Sequence, residues 1–180
     1  MKQILLFLIC TFLFFNSNSQ VTQINANKSL QGVVQLNNTL AIFNSGVDSS
    51  IWVSDGSKNG TIQISDTIKY IGGGGLLNGK YIFKGKSPNC GNEIFITNGT
   101  KAGTTIIKDI NPGVANSQPR ATIMEVVNGY VYFAAVTAAE GCELSRTDGT
   151  SGNTSLVKDI GLLATSGIDS SHFSLSQIGN

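Results

Sequence analysis

The chain contains one stretch of sequence three times in altered form. The three copies are 51–66 (IWVSDGSKNGTIQISD), 93–109 (EIFITNGTKAGTTIIKD) and 143–159 (ELSRTDGTSGNTSLVKD). Asp55, Asn98 and Asp148 occupy the same place in the three copies, so the period is 43 and then 50 residues. Self-similarity at such a period is typical of solenoids and propellers, whose small units bury their faces only against neighbouring units. The chain is therefore predicted to be an array of similar units.

A second pattern precedes each copy and predicts a hairpin. It is an Asn-Asn or Asn-Gly pair between two apolar runs, at 36–43 (LNNTLAIF), 77–83 (LNGKYIF) and 127–133 (VNGYVYF). Such pairs accept the positive φ angles of a tight turn. Each unit is thus predicted to hold four antiparallel strands, and the fold to be all-β without helices. The predicted strands are 33–36, 40–44, 51–54, 61–65, 70–77, 80–84, 93–97, 104–109, 122–127, 130–135, 142–146 and 154–159.

Four short strands per unit is the arrangement of a β-propeller blade. The predicted units are 30–67, 68–112 and 120–161, with the start of a fourth at 172–180. Closed propellers typically have about four to eight blades, so the sequence predicts a β-propeller-like array that is incomplete. Either the chain is a piece of a longer array, or three units form an open arc whose end is covered by the chain's own first strand or by a second copy. An open blade edge would also permit self-association.

The N-terminal residues have the features of a secretory signal peptide, predicted at 1–19. Lys2 supplies the positive charge, residues 4–15 are almost entirely apolar, and small serines follow. We expect a mature chain from about Gln20, with a retained interfacial anchor as the alternative. No later stretch is apolar for long enough to span a membrane. The predicted location is outside the cell or on its surface, or the periplasm if the protein has no sorting domain.

Charge and cysteine content restrict the partners. The formal net charge is +1 and charged residues make up 13% of the chain, so the sequence has no basic footprint for nucleic acid. Cys90 and Cys142 remain after signal removal, and an oxidising compartment would permit them to pair. Their positions relative to the following glutamates, Glu93 and Glu143, differ by two residues. This offset favours two thiols over a disulfide, whose geometry is strict.

The repeats resemble a family of secreted bacterial proteins built on the motif ELWxxDGT, which usually continues GTxxVKDI and a Pro-Gly turn. The third copy has ELSRTDGT at 143–150 and LVKDI at 156–160; the second has EIFITNGT at 93–100 and IKDINPG at 107–113. The first copy has Ser50 where the motif has glutamate. The resemblance covers roughly residues 30–180.

The resemblance implies a propeller-like all-β fold, export, and often a cell-surface location in Bacteroidetes-type bacteria. In that family a C-terminal sorting domain directs passage through the outer membrane; we expect none within these 180 residues, and truncation would explain its absence. The family has no general enzymatic activity, so the resemblance informs fold and location more than molecular function.

The repeated turn is the most specific local feature. Its residues are Asp55, Gly56, Asn98, Gly99, Thr100, Asp148, Gly149 and Thr150. These turns could be calcium loops, but calcium needs several convergent oxygen ligands and each turn supplies one carboxylate at most. Asp and Asn also bond their own turn backbone while Gly takes the left-handed conformation. A structural turn is therefore favoured over a metal site.

Other candidate sites have plainer structural interpretations. Glu93 and Glu143 could form the acid pair of a glycosidase, but equivalent positions in different units indicate a role in the repeat. His172 is the single histidine, and no nucleophile elbow accompanies it. The glycine run 72–75 lacks the residues of a phosphate loop and predicts a flexible or bulged strand. The aromatic residues could form a sugar-stacking surface or inter-sheet core, and core is favoured. They are Trp52, Tyr81, Phe83, Phe95, Tyr132 and Phe133.

The sequence therefore predicts an exported, non-enzymatic repeat protein that acts as a binding or adhesion scaffold at the cell envelope or outside the cell. The expected partner is an extracellular protein or glycan, and no cofactor or metal is predicted. Binding is expected in the segments that join the second and third strands, at 44–50, 84–92 and 134–142, because such scaffolds vary loops over a fixed frame. One alternative is an accessory propeller of a larger secreted hydrolase; another is a purely structural surface stalk.

Overall fold

The structure is a computed structural model that describes residues 30–117, 124–161 and 165–168. All the regular secondary structure in these residues is β-strand, which confirms the all-β prediction. Over the same residues, no helix has the length and apolar character needed to cross a membrane. The predicted signal peptide at 1–19 and the predicted partial unit at 172–180, which includes the single histidine, lie outside the described residues.

Eleven strands occur in the described residues, and they form two antiparallel sheets. The first seven strands make one sheet and the last four make the other, and within each sheet every strand pairs with its neighbours in sequence. The strands are β1 (Leu30–Gln35), β2 (Ala41–Ser45), β3 (Ser50–Ser54), β4 (Ile62–Leu77), β5 (Lys80–Ser87), β6 (Gly91–Thr97), β7 (Thr105–Lys108), β8 (Glu125–Val127), β9 (Tyr130–Thr137), β10 (Gly141–Thr147) and β11 (Ser155–Lys158).

Strand β4 differs from the prediction. The two strands expected at 61–65 and 70–77 are one strand of 16 residues. Its first half pairs with β3 and its second half with β5, and Lys69 lies opposite both Ser50 and Lys86. Only residues 66–69 separate the two predicted strands, and the chain stays extended across them. The boundary expected between the first two units therefore falls inside β4. The first unit here means β1 to β3 with the first half of β4, the second unit the rest of β4 with β5 to β7, and the third unit β8 to β11.

Alternate side chains of the second unit pack against the two neighbouring units, and this packing joins the three units. Tyr81, Phe83 and Phe95 of the second unit pack against the first unit, in one core cluster with Ile42 and Val53. The residues that point to the opposite face of the second unit pack against the third unit. This second cluster contains Leu77, Ile82, Ile94, Ile107, Met124, Val131, Phe133 and Ala135. Most of the predicted aromatic set is therefore inter-unit core, as the alternation of short strands requires.

The glycine run bulges β4 as the second unit begins. The register of β4 against β5 shifts twice between Tyr70 and Gly74. Gly72 and Gly73 have φ angles of 135° and 53°, which a residue with a side chain rarely adopts. A Cβ on Gly74 would lie 2.2 Å from the hydroxyl oxygen of Tyr81. The run therefore bends the strand and makes room for Tyr81.

Candidate functional site

The repeated turn joins the third and fourth strands of each unit. Oδ1 of Asn98 accepts hydrogen bonds from the backbone N of Thr100 at 3.0 Å and from its Oγ1 at 2.7 Å. Oδ1 of Asp148 accepts the same two bonds from Thr150, at 2.9 and 2.7 Å. The next residue is in the left-handed region in every copy: φ is 89° at Gly56, 86° at Gly99 and 92° at Gly149. These side chains fold their own turn.

A pair of hydroxyl groups closes the base of each turn, a feature that the sequence interpretation missed. One member precedes the turn and the other lies seven residues later. The pairs are Ser54–Thr61 at 2.7 Å, Thr97–Thr104 at 2.8 Å and Thr147–Thr154 at 2.6 Å between oxygens. The recurrence of a hydroxyl residue at both places was visible in the sequence, but neither position carries a charge that draws attention to it.

The acidic turn residues are committed to local hydrogen bonds. The backbone N–H of Ser57, and then its hydroxyl, lower the pKa of the Asp55 carboxyl. The hydroxyl of Thr150, and then the amide of Asn153, lower the pKa of Asp148. Throughout the described ranges, no three His, Cys, Asp or Glu side chains come together in a way that could hold a metal ion.

Glu93 is buried, with none of its surface exposed, and it holds the segment that leads to the third unit. Its Oε2 accepts a hydrogen bond from the N of Ile110 at 3.1 Å. Its Oε1 accepts from the N of Asn111 at 3.4 Å and of Ser117 at 3.0 Å. Burial raises the pKa of Glu93, while the N–H donors of this segment oppose the rise. The three bonds make Glu93 a clasp for the described part of the connecting segment, 109–117.

Glu143 repeats this clasp 50 residues later. It accepts bonds from the N of Ile160 at 3.2 Å, of Gly161 at 2.9 Å and of Gly167 at 2.6 Å. Both glutamates of the hypothetical acid pair are thus occupied by backbone donors. In the first unit the equivalent residue is Ser50, and there β4 continues without a long connection. The glutamate occurs where a long connecting segment has to be held.

The segments expected to bind a partner are shorter than predicted. Strands include three of the seven residues of 44–50 and six of the nine in each of 84–92 and 134–142, which leaves tight connections of three or four residues. The connections are 46–49, 88–90 and 138–140. In the second unit the connecting segment also lies against this end, because a Cβ on Gly91 would be 2.5 Å from the carbonyl oxygen of Ala115. Binding at these connections stays a prediction.

A cavity in the described residues lies between the second and third units. This inter-unit cleft has a volume of about 170 Å³. Its walls are formed by Lys108 and Ile110 on one side and by strands β9, β10 and β11 on the other. The lining residues of the third unit are Ala135, Thr137, Glu140, Gly141, Glu143, Ser145, Thr154, Ser155 and Leu156. The Lys108 ammonium donates to the carbonyl oxygen of Thr154 at 2.8 Å, and the Thr137 hydroxyl donates to the Glu140 carboxylate.

The two cysteines are thiols in the structure, as the residue offset favoured. Both are buried, and they belong to different core clusters. Burial raises the pKa of the Cys90 thiol. Since the thiolate is the reactive form of cysteine, this environment makes Cys90 a poor nucleophile.

Comparisons with known proteins identify a similar fold without a family. No protein-family model matches the chain, and no curated protein matches its sequence. Among solved structures, the chain is similar to a puromycin hydrolase mutant crystallised in complex with PGG, with a TM-score of 0.54 and 11% sequence identity. The match covers 86% of this chain and 24% of the length of the hydrolase chain. At that identity the likeness shows the fold alone, and the ELWxxDGT resemblance stays a prediction.

Proposed function

We propose that this chain is an exported, non-enzymatic repeat protein of the ELWxxDGT type that binds a protein or glycan at the cell envelope or outside the cell. The observation that carries the proposal is that backbone N–H groups already occupy the carboxylates of Glu93 and Glu143 as hydrogen-bond donors. Each carboxylate accepts three backbone N–H bonds at an equivalent position of the repeat, so both acids serve the array. A catalytic pair would instead need carboxylates that reach a substrate.

The proposal includes a β-propeller-like arrangement of four-stranded units. The second and third units support it, because β5 to β7 and β9 to β11 pair in the same order and register. Phe83 lies opposite Phe95 just as Phe133 lies opposite Ser145. The inter-unit core also supports it, since each unit contributes one face to its neighbour. A rigid array of this kind presents binding surfaces between units and at their ends.

Location is tested by fractionating the source cells and measuring the intact mass of the chain in the medium, outer envelope, periplasm and cytoplasm. Export predicts a processed species that starts near Gln20 and is recovered outside the cytoplasm. Recovery of the unprocessed chain in the cytoplasm alone would contradict the proposal.

Binding is tested with the fluorescently labelled mature chain and intact source cells, before and after protease or periodate treatment. Saturable binding that one treatment removes would identify a protein or a glycan partner. The absence of saturable binding to cells, envelope fractions and secreted polysaccharide would refute the binding role. Turnover of p-nitrophenyl glycosides that Glu143→Gln abolishes would refute the non-enzymatic role.

A further inference from the structure

One position of the repeat changes character in the third unit. Trp52, Phe95 and Ser145 occupy the same place in the three copies, two residues after Ser50, Glu93 and Glu143 respectively. The register confirms the equivalence of the last two, because Phe95 lies opposite Phe83 and Ser145 opposite Phe133. The third unit therefore has a hydroxymethyl group where the other two have an aromatic ring.

The second unit shows what a ring does at this place. Phe95 is 1% exposed and stacks on Phe83 with ring centroids 6.0 Å apart. Its Cδ2 is 2.6 Å from where a Cβ on Gly85 would lie, so the ring covers the backbone of β5. The ring fills the space between the second unit and the first.

The third unit differs at the place of Gly85, where it has a residue with a Cβ, so a ring could not lie as close to β9 as Phe95 lies to β5. Ala135 lies opposite Glu143 as Gly85 lies opposite Glu93, so it occupies the place of Gly85. Ala135 and Ser145 both line the inter-unit cleft of about 170 Å³. Apolar cavities of about 150 Å³ made by removing a large side chain bind benzene in other proteins. The cleft is thus comparable in volume with such a cavity and lies at the place of the repeat where the second unit holds a ring, but its lining combines apolar and charged side chains.

We propose that the inter-unit cleft binds an aromatic side chain, Tyr or Trp, of the partner protein. The inference rests on the proposed binding function and specifies its site and ligand class. Ala135, Ile110 and Leu156 supply apolar walls, and Lys108 and Glu140 place an ammonium and a carboxylate beside them. A phenol O–H or indole N–H can donate to a carboxylate, and an ammonium near a ring face adds a cation–π attraction. Tyr and Trp are also the side chains that most often dominate protein interfaces.

The test uses p-cresol and indole as probes of the two side chains, with ligand-observed NMR on the purified mature chain. Both probes are expected to bind saturably to the unaltered protein. Ser145→Phe adds a ring inside the cleft and should abolish that binding. Leu156→Trp fills the mouth of the cleft from a residue that is 37% exposed, so it should block binding without endangering the core. Ser151→Phe adds the same ring at an exposed position outside the cleft and should bind the probes normally.

The outcomes separate this inference from the general binding role. Loss of probe binding in both cleft variants, together with weaker cell binding by the labelled chain, supports the proposal. Absence of saturable probe binding at the solubility limit, or probe binding that persists in both cleft variants, overturns it. If cell binding persists while neither probe binds, the cleft assignment is wrong and the binding function stands. If the probes bind the cleft and no cell or envelope fraction binds the chain, the proposed function is the part that fails.

Discussion

The clasp formed by Glu93 makes a quantitative prediction. Glu93→Ala removes the acceptor of three backbone N–H groups. The N–H of Ser117 retains a second acceptor, the carbonyl oxygen of Asn92 at 3.1 Å, whereas the N–H groups of Ile110 and Asn111 have no other acceptor among the described residues. A donor left without an acceptor costs about 1–3 kcal/mol when it is buried. Ile110 and Asn111 are half-buried, so water will recover part of this cost. We therefore expect Glu93→Ala to lower the free energy of unfolding by about 2–4 kcal/mol.

The measurement is urea unfolding, followed by far-ultraviolet circular dichroism and by the fluorescence of Trp52. Amide hydrogen exchange should accelerate at Ile110 and Asn111 in the same variant. The matched control is Asp159→Ala, which removes an exposed carboxylate and should change the free energy of unfolding by less than about 0.5 kcal/mol. If Glu93→Ala is no less stable than Asp159→Ala, the connecting segment is not held by Glu93 and the clasp is wrong.

Two further predictions concern the turns and the pH dependence. Gly99→Ala should lower the free energy of unfolding by about 1–2 kcal/mol, because φ is 86° and the new Cβ would lie 2.9 Å from Leu36 Cδ2; Gly152→Ala, with nothing within 4 Å, should be neutral in the same urea titration, and equal costs would contradict the account. Burial raises the pKa of Glu93 in the folded state, so protonation of this side chain favours folding. The stabilisation that protonation gives is fully present below the ordinary pKa near 4.5 and is lost as pH rises through the folded pKa. Urea unfolding across this range should show that loss in the unaltered protein and a flatter profile in Glu93→Gln, whereas parallel profiles would refute the assignment.

The local elements were largely predictable from the sequence because each depends on neighbouring residues. The Asn-Gly pairs fix their hairpins, as the positive φ angles of Asn78 and Gly79 show. The continuity of β4 was not predictable from strand patterns. Whether two strands merge depends on how the chain between them is held, and Ser50 in place of the motif glutamate was the available signal.

The role of the buried glutamates was harder to predict. Glu93 accepts hydrogen bonds from residues 17 to 24 positions further along the chain, so no local pattern records the contact. The recurrence of glutamate correctly indicated a role in the repeat without showing its partners. Likewise, Ser145 is visible in the sequence as a departure from the repeat, but only the packing of the second and third units shows that the departure leaves a cleft.

The connecting segment also bears on how such arrays can change during evolution. From Ile64 to Leu77 the chain is seven residues shorter than from the equivalent Ile107 to Val127, and the repeat period lengthens by the same seven residues, from 43 to 50. Between the second and third units the hairpins keep the same length, so this difference lies in the connecting segment, whereas the hairpin from Phe43 to Trp52 in the first unit is three residues shorter than the one from Phe83 to Phe95. Because a buried glutamate holds the segment that follows it, residues can be inserted or deleted between two units without changing the packing of either unit.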